Sequence, residues 1–303
     1  MSLEVINNPI LATIQDLGRF SYSHIGVSNS GVMDEYAYSY ANKILSNDYG
    51  TNAIEISFSN VIFKAKASTQ VAVTGAKCEF FINDILCNTW QSHNIKSGDV
   101  IKVGKILEGS RVYLCVSGGF NIKKEFGSNS TTIKEILGGI NGNKLKSGDI
   151  LAFGKPLLKY SRRLKEKFIP KYNEELTLRV ILSSQEDNFL QEEKDKFFSS
   201  IYTVTNDFNR MGCKLNGEKI NCDINGIISE GIGFGAIQIP NDGQAIILLK
   251  ERQTIGGYPK IGSVISLDCF KLAQAKPNSK IKFEIISIND AQKLVRDFYA
   301  SFL

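Results

Sequence analysis

The feature that most constrains this chain is a succession of short, period-two apolar segments, each stopped within a few residues by glycine or another turn former. Ile54-Glu-Ile56-Ser-Phe58 alternates apolar and polar side chains, as a half-buried strand requires. Residues 70–74 end on Gly75, residues 111–117 end on Gly118-Gly119, and residues 78–88 read as a hairpin turning at Asn83-Asp84. Segments 178–182, 235–239, 245–249, 263–267 and 280–286 continue the pattern. Many short strands with few helices predict a mainly β chain, with barrels or sandwiches favoured. Three helices are expected. Asp34 caps a stripe of Ala37, Tyr40, Ala41, Ile44 and Leu45, with Met33 placed to staple against Tyr38. Ser184 opens a second helix that turns Phe189, Leu190, Phe197 and Phe198 inward, and Asn289 opens the last, burying Leu294, Val295 and Phe298. Such aromatic stripes read as core.

At 303 residues the chain exceeds what one hydrophobic core organises comfortably, so two domains are expected. With 43% hydrophobic and 22% charged residues it is not disordered in composition. No run approaches the ~18 apolar residues of a membrane span, and the N-terminus lacks a basic-then-apolar leader, so a cytoplasmic location is expected. The net charge of +5 is concentrated in one place: from Lys155 to Lys171, seven cations face Glu166 alone, a net +6 that leaves −1 for all other residues. The chain therefore has no general basic face, and neither nucleic acid nor membrane is an expected partner. That stretch carries Pro156 and Pro170 and reads as a solvated linker. It divides the chain into domains 1–155 and 176–303 around a linker at 156–175. A docking strip for an acidic partner is the alternative reading. The six cysteines contain no Cys-x-x-Cys pair and sit largely in apolar runs, as small hydrophobes do. With only His24 and His93, a multi-histidine metal site is excluded, and no resident metal is expected; magnesium carried in with a nucleotide is not excluded.

Two internal echoes occur. Lys96-Ser-Gly-Asp99 recurs as Lys146-Ser-Gly-Asp149 and, more loosely, as Lys276-Pro-Asn-Ser279, each a tight turn feeding a buried strand. Residues 19–26 align with 210–217, pairing Arg19 with Arg210, which suggests related halves each presenting an arginine turn.

Standard nucleotide motifs are missing. No Walker loop exists, and Gly231-Ile-Gly233-Phe-Gly-Ala236 runs into strand-like Ile237-Gln-Ile where a dinucleotide fingerprint needs a helix. None of the three methionines adjoins a lysine, so there is no biotinyl-lysine site. What stands out is a series of polar, glycine-punctuated clusters. They are Gln15-Asp16-Leu-Gly18-Arg19 before His24, Ser30-Gly31-Val-Met-Asp34, Thr74-Gly75-Ala76, Ser117-Gly118-Gly119 and Gly127-Ser128-Asn129-Ser130-Thr131. The second half adds Arg210-Met-Gly212, Gly235-Ala-Ile-Gln238 and Arg252-Gln-Thr254-Ile-Gly256-Gly257-Tyr258-Pro259. Small residues let amides approach an anion or carbonyl, while Asp, Arg, Gln and Tyr supply protons and charge.

At these residues, from about Gln15 to Ala291, the chain resembles the C-type subunit of 5-oxoprolinase, also described as allophanate hydrolase subunit 2, a family homologous to part of the carboxyltransferase domain of urea carboxylase. The resemblance implies two tandem cyclophilin-like β-barrel domains with a few packed helices. It also implies a partner homologous to the B-type subunit of that enzyme and, for oxoprolinase, an A-type one. Departures are Ser21 for glycine, Asn129 for arginine, Lys214 for arginine and Glu251 for aspartate; losing the arginine at 129 removes a bidentate anion clamp. The function so implied is a subunit of an ATP-dependent 5-oxoprolinase, in which Mg-bound ATP used by the complex activates the lactam carbonyl for attack by water. Asp16 and His24 are the candidates for proton transfer, and Asp34 is either a third or simply the helix cap. Gln15, Arg19, Thr74, Gly75, Gly118, Gly119, Ser128, Ser130, Thr131, Arg210, Gln238, Arg252, Thr254, Gly256, Gly257 and Tyr258 are the candidates for binding substrate or anion. For Arg19 and Arg210 a structural tie to carboxylates is the competing reading, and for Tyr258 it is plain packing. One alternative function is the carboxyltransferase subunit of a biotin-dependent urea or amide carboxylase, with biotin on a partner protein. The other is a non-enzymatic regulator that binds its B-type homologue.

Overall fold

The structure is a computed structural model that describes residues 1–58, 60–156 and 160–302. The chain forms two compact units. Unit 1 comprises residues 1–20, 30–172 and 302; unit 2 takes the rest of the described chain, including a short excursion at residues 21–29.

Unit 1 carries β1 (Ser2–Val5), β2 (Leu11–Gln15), α1 (Glu35–Ile44), β3 (Ala53–Ser57), β4 (Val61–Ala65), β5 (Thr69–Ile82), β6 (Ile85–Leu86), β7 (Ser92–Ile95), β8 (Val100–Val116) and β9 (Ile150–Ala152). These nine strands make one sheet in the order β2-β3-β8-β4-β1-β9, with β5 on β8 and with β6 and β7 on β5. The expected hairpin at 78–88 forms, with Asn83 and Asp84 both at positive φ (50° and 61°) as a tight two-residue turn demands. The strand expected to stop at Gly75 instead runs on to Ile82. Gly75 takes φ +90° at a bulge, where a Cβ would strike the Arg111 carbonyl oxygen. Leu3, Val5, Ile14, Ile56, Phe63, Phe80, Leu114 and Leu151 fill the core between the sheet's faces, and α1 lays Ala37, Tyr38 and Ala41 against a second cluster with Trp90 and Tyr113.

Unit 2 carries β10 (Glu175–Leu182), α2 (Gln191–Ser199), β11 (Tyr202–Phe208), β12 (Gly212–Asn216), β13 (Glu230–Gly231), β14 (Ala236–Gln238), β15 (Ile246–Leu248), β16 (Ile255–Gly256), β17 (Lys260–Val264), α3 (Ser266–Leu272), β18 (Lys280–Ile285) and α4 (Ile288–Ala300). Seven strands close a barrel in the order β10-β17-β14-β15-β12-β11-β18, sealed by the parallel β10–β18 pair from Glu175↔Lys280 to Val180↔Ile285. Phe197 from α2 stacks on Phe283 (4.4 Å between centroids) beside Tyr202 in its core. Strands β13 and β16 form a separate ribbon.

The expectation of two tandem cyclophilin-like barrels is therefore corrected. The chain is mainly β, but one barrel closes and the other sheet stays open. The physical reason lies at the open edges. In unit 1, β2 meets single amides of a loop, Thr131 N–H to Ile14 O and Leu145 N–H to Ala12 O, where a closing strand would run. The edge of β9 likewise receives only Asn121 N–H at Ala152 O. Residues 118–143 are glycine-rich and lack period-two alternation, so they cap those edges without extending the sheet.

The helices also depart from expectation. Asp34 caps α1 as expected, accepting from Ala37 N–H at 3.1 Å. Ser184 opens no helix: Ser183 Oγ turns to the Lys260 carbonyl, residues Glu186–Asn188 make one 3-10 turn, and α2 begins after a half-exposed Leu190. The last helix is capped by Ser287 rather than Asn289, and only Ala291 is fully buried on it. Leu267 lies in α3, a helix that the strand-like pattern of 263–267 did not foretell.

The first echo is real as geometry. Lys96 N–H donates to Asp99 Oδ2 (2.7 Å) and Asp99 N–H returns to Lys96 O (3.1 Å); Lys146 and Asp149 repeat this at 2.8 and 3.1 Å. Lys276 and Ser279 do the same with a hydroxyl at 3.1 Å, Asn278 taking the left-handed φ (73°) that Gly98 and Gly148 take in the other two turns. The second echo is not: residues 23–25 form a 3-10 turn, whereas 212–216 is strand β12.

Residues 160–172 of the stretch read as a linker cluster with unit 1, and Lys159 lies outside the described residues. Among the described residues no helix is long and apolar enough to cross a membrane.

Candidate functional site

In unit 1 the candidates converge on one buried loop. Asp16, 6% exposed, follows β2 directly, and its carboxylate accepts four hydrogen bonds. Gly18 N–H (2.8 Å), Ser128 Oγ (2.5 Å) and Ser130 Oγ (2.6 Å) reach Oδ1, and Asn129 N–H (2.7 Å) reaches Oδ2. Gln15 donates to Thr13 Oγ1 and the Thr131 carbonyl, to which Ser30 Oγ also donates. Arg19, 1% exposed, donates to Thr132 Oγ1 (3.2 Å) and to the Ser130 carbonyl. Asn129, where the resemblance expects arginine, ties the same loop to Ile122 O and Asn52. Gln15, Asp16, Arg19, Ser128, Ser130 and Thr131 thus come together, but as donors and acceptors for one another in a buried knot.

Gly138 closes that knot. Its φ is +67°, and a Cβ would meet the Ser130 carbonyl oxygen and Arg19 Nη2. Gly138→Ala is expected to cost about 2–3 kcal/mol, the left-handed strain plus displaced Arg19 hydrogen bonds, read as a lowered urea midpoint. An unchanged midpoint would show that the Arg19 contacts carry no stability.

Asp34 lies elsewhere, in a second buried network. Besides capping α1 it accepts from Tyr172 Oη (3.0 Å), while its own amide donates to Tyr113 Oη (2.7 Å). Tyr113 in turn donates to Glu55 (2.8 Å), a 3% exposed carboxylate that also holds Met33 N–H (2.9 Å). Burial, then the neighbouring Glu55, pushes the Tyr113 phenol far above its usual range. Glu55, Tyr113 and Tyr172 were missed in the sequence. Glu55's only signal was a carboxylate inside an otherwise strand-like alternation. Thr74 donates to Ala37 O at the back of α1 (2.7 Å); Gly75 takes its positive φ at the β5 bulge, and Gly118 and Gly119 take theirs just after β8.

In unit 2, His24 stands exposed on its 3-10 turn. Arg210 is paired with Glu251 (2.5 Å), which neutralises it. Arg252 differs. Its Nε donates to Ile232 O (2.8 Å), Nη1 to Leu249 O (3.2 Å) and Nη2 to Asn29 Oδ1 (2.9 Å), so its partners are neutral. Burial pushes its pKa downward, the sign expected for a cation without a compensating carboxylate. Two lysines lie nearby in the chain, one of them paired with a carboxylate. Lys250, 9% exposed, holds its ammonium over Phe234 (4.7 Å) and Phe270 (5.9 Å). Lys260 pairs with Glu230 at 2.5 Å. Gln238, buried on β14, sits against Gly256, where a Cβ would come within 3.0 Å of its Nε2. The Thr254 carbonyl holds Ile232 N–H, Gly257 abuts the Ile227 carbonyl, and Tyr258 is 44% exposed beside them. Gln238, Arg252, Thr254, Gly256, Gly257 and Tyr258 therefore share one neighbourhood. Lys250 and Lys260 were missed, although a lysine closing the apolar run 245–249 was a readable hint.

Burial pushes the Cys115 and Cys269 thiols far up and the Cys78 thiol up to about 12, which keeps these three protonated. Among the described residues no three His, Cys, Asp or Glu side chains gather to hold a metal ion. Gly231 to Ala236 leads into strand β14, so its amides do not converge at a helix N-terminus as a dinucleotide would need.

The chain belongs to the carboxyltransferase domain family, subdomain A and B, which it matches over residues 25–285. It is 32% identical to the C-type subunit of the Haemophilus influenzae 5-oxoprolinase across 97% of this chain and 94% of that protein. Among solved structures, the K. lactis urea amidolyase superposes on 99% of the chain with a TM-score of 0.93 at 27% identity, and the Kluyveromyces lactis urea carboxylase does so with a TM-score of 0.92 at 27%. The chain spans only about a fifth of that amidolyase (20%) and 29% of that carboxylase.

Proposed function

We propose that this chain is the carboxyltransferase subunit of a multi-chain enzyme acting on a small urea-like amide, with biotin borne by a partner protein. The family match over residues 25–285, which takes in Arg252 and its neighbourhood, carries this reading. Carboxylated biotin on the carrier would supply the carboxyl group. The chain's own task is to bind and orient: Arg252 and Lys250 offer positive charge to a carboxylate, and Gln238 offers an amide able to pair with a urea-type amide. Tyr258, half-exposed beside them, is placed to line the entry.

A second reading is favoured by one observation, the near full-length correspondence to the C-type subunit of 5-oxoprolinase. Under it the same groups hold the carboxylate of 5-oxoproline while A-type and B-type partners activate the lactam with ATP. A B-type homologue is a partner under either reading.

The test is ADP release by the chain co-purified with the proteins encoded beside it, with urea, 5-oxoproline or no amide. Bicarbonate- and biotin-dependent stimulation by urea supports the first reading; stimulation by 5-oxoproline without a biotin carrier replaces it with the second. In either case Arg252→Ala is expected to lower kcat/KM by on the order of 100-fold, as for loss of one charged substrate contact. Unaltered kinetics would remove Arg252 from the site.

A further inference from the structure

The basic stretch is not held as a free linker. Leu164 and Ile169 turn inward against the α1 cluster with Trp90 and Tyr113. Leu164 N–H donates to Trp90 O (2.9 Å), Ser92 N–H to Arg162 O (2.8 Å), and Arg162 N–H to Ser92 Oγ (2.8 Å). Arg163 bridges to Gln91 beside the edge strand β7. Tyr36 Oη donates to Phe168 O (2.7 Å), and Tyr172 ends the stretch on the Asp34 cap. Residues 160–172 are thus a strap fastened along unit 1 through five residue pairs.

Fastening the apolar side chains inward sets the charged ones outward. Lys155, Arg162, Arg163, Lys165, Lys167 and Lys171 are all exposed. None of the six forms an ion pair with another of the described residues. Arg162 reaches only the Ser46 hydroxyl (2.5 Å), and Lys167 lies over the Phe168 ring (5.0 Å). A free linker would dilute this charge by motion; a strap displays it at fixed spacing, which is what steers a charged partner.

We propose that the strap at residues 160–172 is a docking rail for an acidic face of a folded partner protein, namely the B-type homologue. This rests on the multi-chain reading above. Nucleic acid fits less well because the chain's net positive charge is concentrated here, all other residues summing to −1.

The experiment measures association of the B-type homologue encoded beside this chain, by biolayer interferometry at about 50 and 300 mM salt. It uses the intact wild-type chain, a reversal variant (Arg163→Glu, Lys165→Glu, Lys167→Glu, Lys171→Glu) and a neutral variant with glutamine at those positions. Thermal unfolding checks that both variants fold. Wild-type association is expected to slow at least tenfold with salt. The neutral variant is expected to match the wild type's high-salt rate at both salts, and the reversal variant to be slower still at low salt. Equal rates and equal salt dependence in all three chains overturn the rail while leaving the multi-chain reading intact. Absence of any wild-type complex overturns both. Strap-dependent binding of a 20-base-pair DNA duplex, or of vesicles containing phosphatidylserine, with no strap effect on the protein partner, overturns it in favour of those ligands.

Discussion

Asp16→Ala is expected to destabilise unit 1 by about 3–5 kcal/mol, because it strips the acceptor from four donors at once, three of them buried. Each orphaned group would lose a charge-assisted hydrogen bond worth about 1.5–3 kcal/mol, partly recovered by water entering the loop. Asp16→Asn keeps one carbonyl oxygen but turns an amide N–H₂ toward Asn129 N–H, so roughly half the loss is expected. The measurement is well posed, since Trp90 is the chain's sole tryptophan, lies in unit 1 and is only 4% exposed. Its fluorescence in a urea titration reports unit 1 specifically. A fluorescence midpoint unaltered in Asp16→Ala would mean that the loop is held without the carboxylate. Full stability with lost activity would return Asp16 to proton transfer.

The second large effect lies in unit 2. Asp268 on α3 is fully buried and accepts from Arg179 N–H (2.9 Å), Arg179 Nε (2.7 Å) and Nη2 (2.8 Å), and Lys271 Nζ (2.8 Å). Burial is the largest single influence on its carboxyl and raises it, yet the hydrogen bonds from Arg179 and Lys271 together outweigh burial and the net direction is down. A carboxyl depressed by folding contributes stability that is fully present above the unfolded value of ~3.9 and is lost as pH falls through the folded value. The far-UV circular dichroism midpoint of the wild type is therefore expected to drop as pH is lowered below ~4, with Asp268→Asn showing a shallower drop. At neutral pH Asp268→Ala is expected to cost about 2–4 kcal/mol, less than for a fully enclosed pair, because the Arg179 side chain keeps 28% exposure and the cation can reach water. A pH profile identical in wild type and Asp268→Asn would sink this assignment.

What could be read from sequence follows the range of the interaction. The Asp34 cap, the Asn83-Asp84 hairpin and the Lys96–Asp99 and Lys146–Asp149 turns were all legible, since each is a bond between residues at most a few positions apart. The glycine-punctuated family motifs were legible for a related reason: backbone that must pass within van der Waals distance of other backbone, as at Gly31 and Gly75, admits no Cβ whatever surrounds it. Some helix starts were misread because their polar groups are used at long range. Ser183 bonds to Lys260 and Gln185 to Glu230, and the segment near Ser184 closes a single 3-10 turn instead of running on as an α-helix.

The fates of the three candidate arginines could not be read locally. Arg19, Arg210 and Arg252 look alike in their turns, yet one is enclosed by the Ser130–Thr132 loop, one is neutralised by Glu251, and one meets only neutral partners. Which outcome an arginine has depends on whether a carboxylate is delivered to it by distant chain. Closure of the sheets is the same kind of question. The period-two pattern by itself determined a mainly β chain in both halves. Whether a sheet closes is decided by its two edge strands, which are remote in sequence. In unit 2, β10 and β18 find each other over six residue pairs, whereas in unit 1 the edges of β2 and β9 are met by a glycine-rich loop that cannot form a strand.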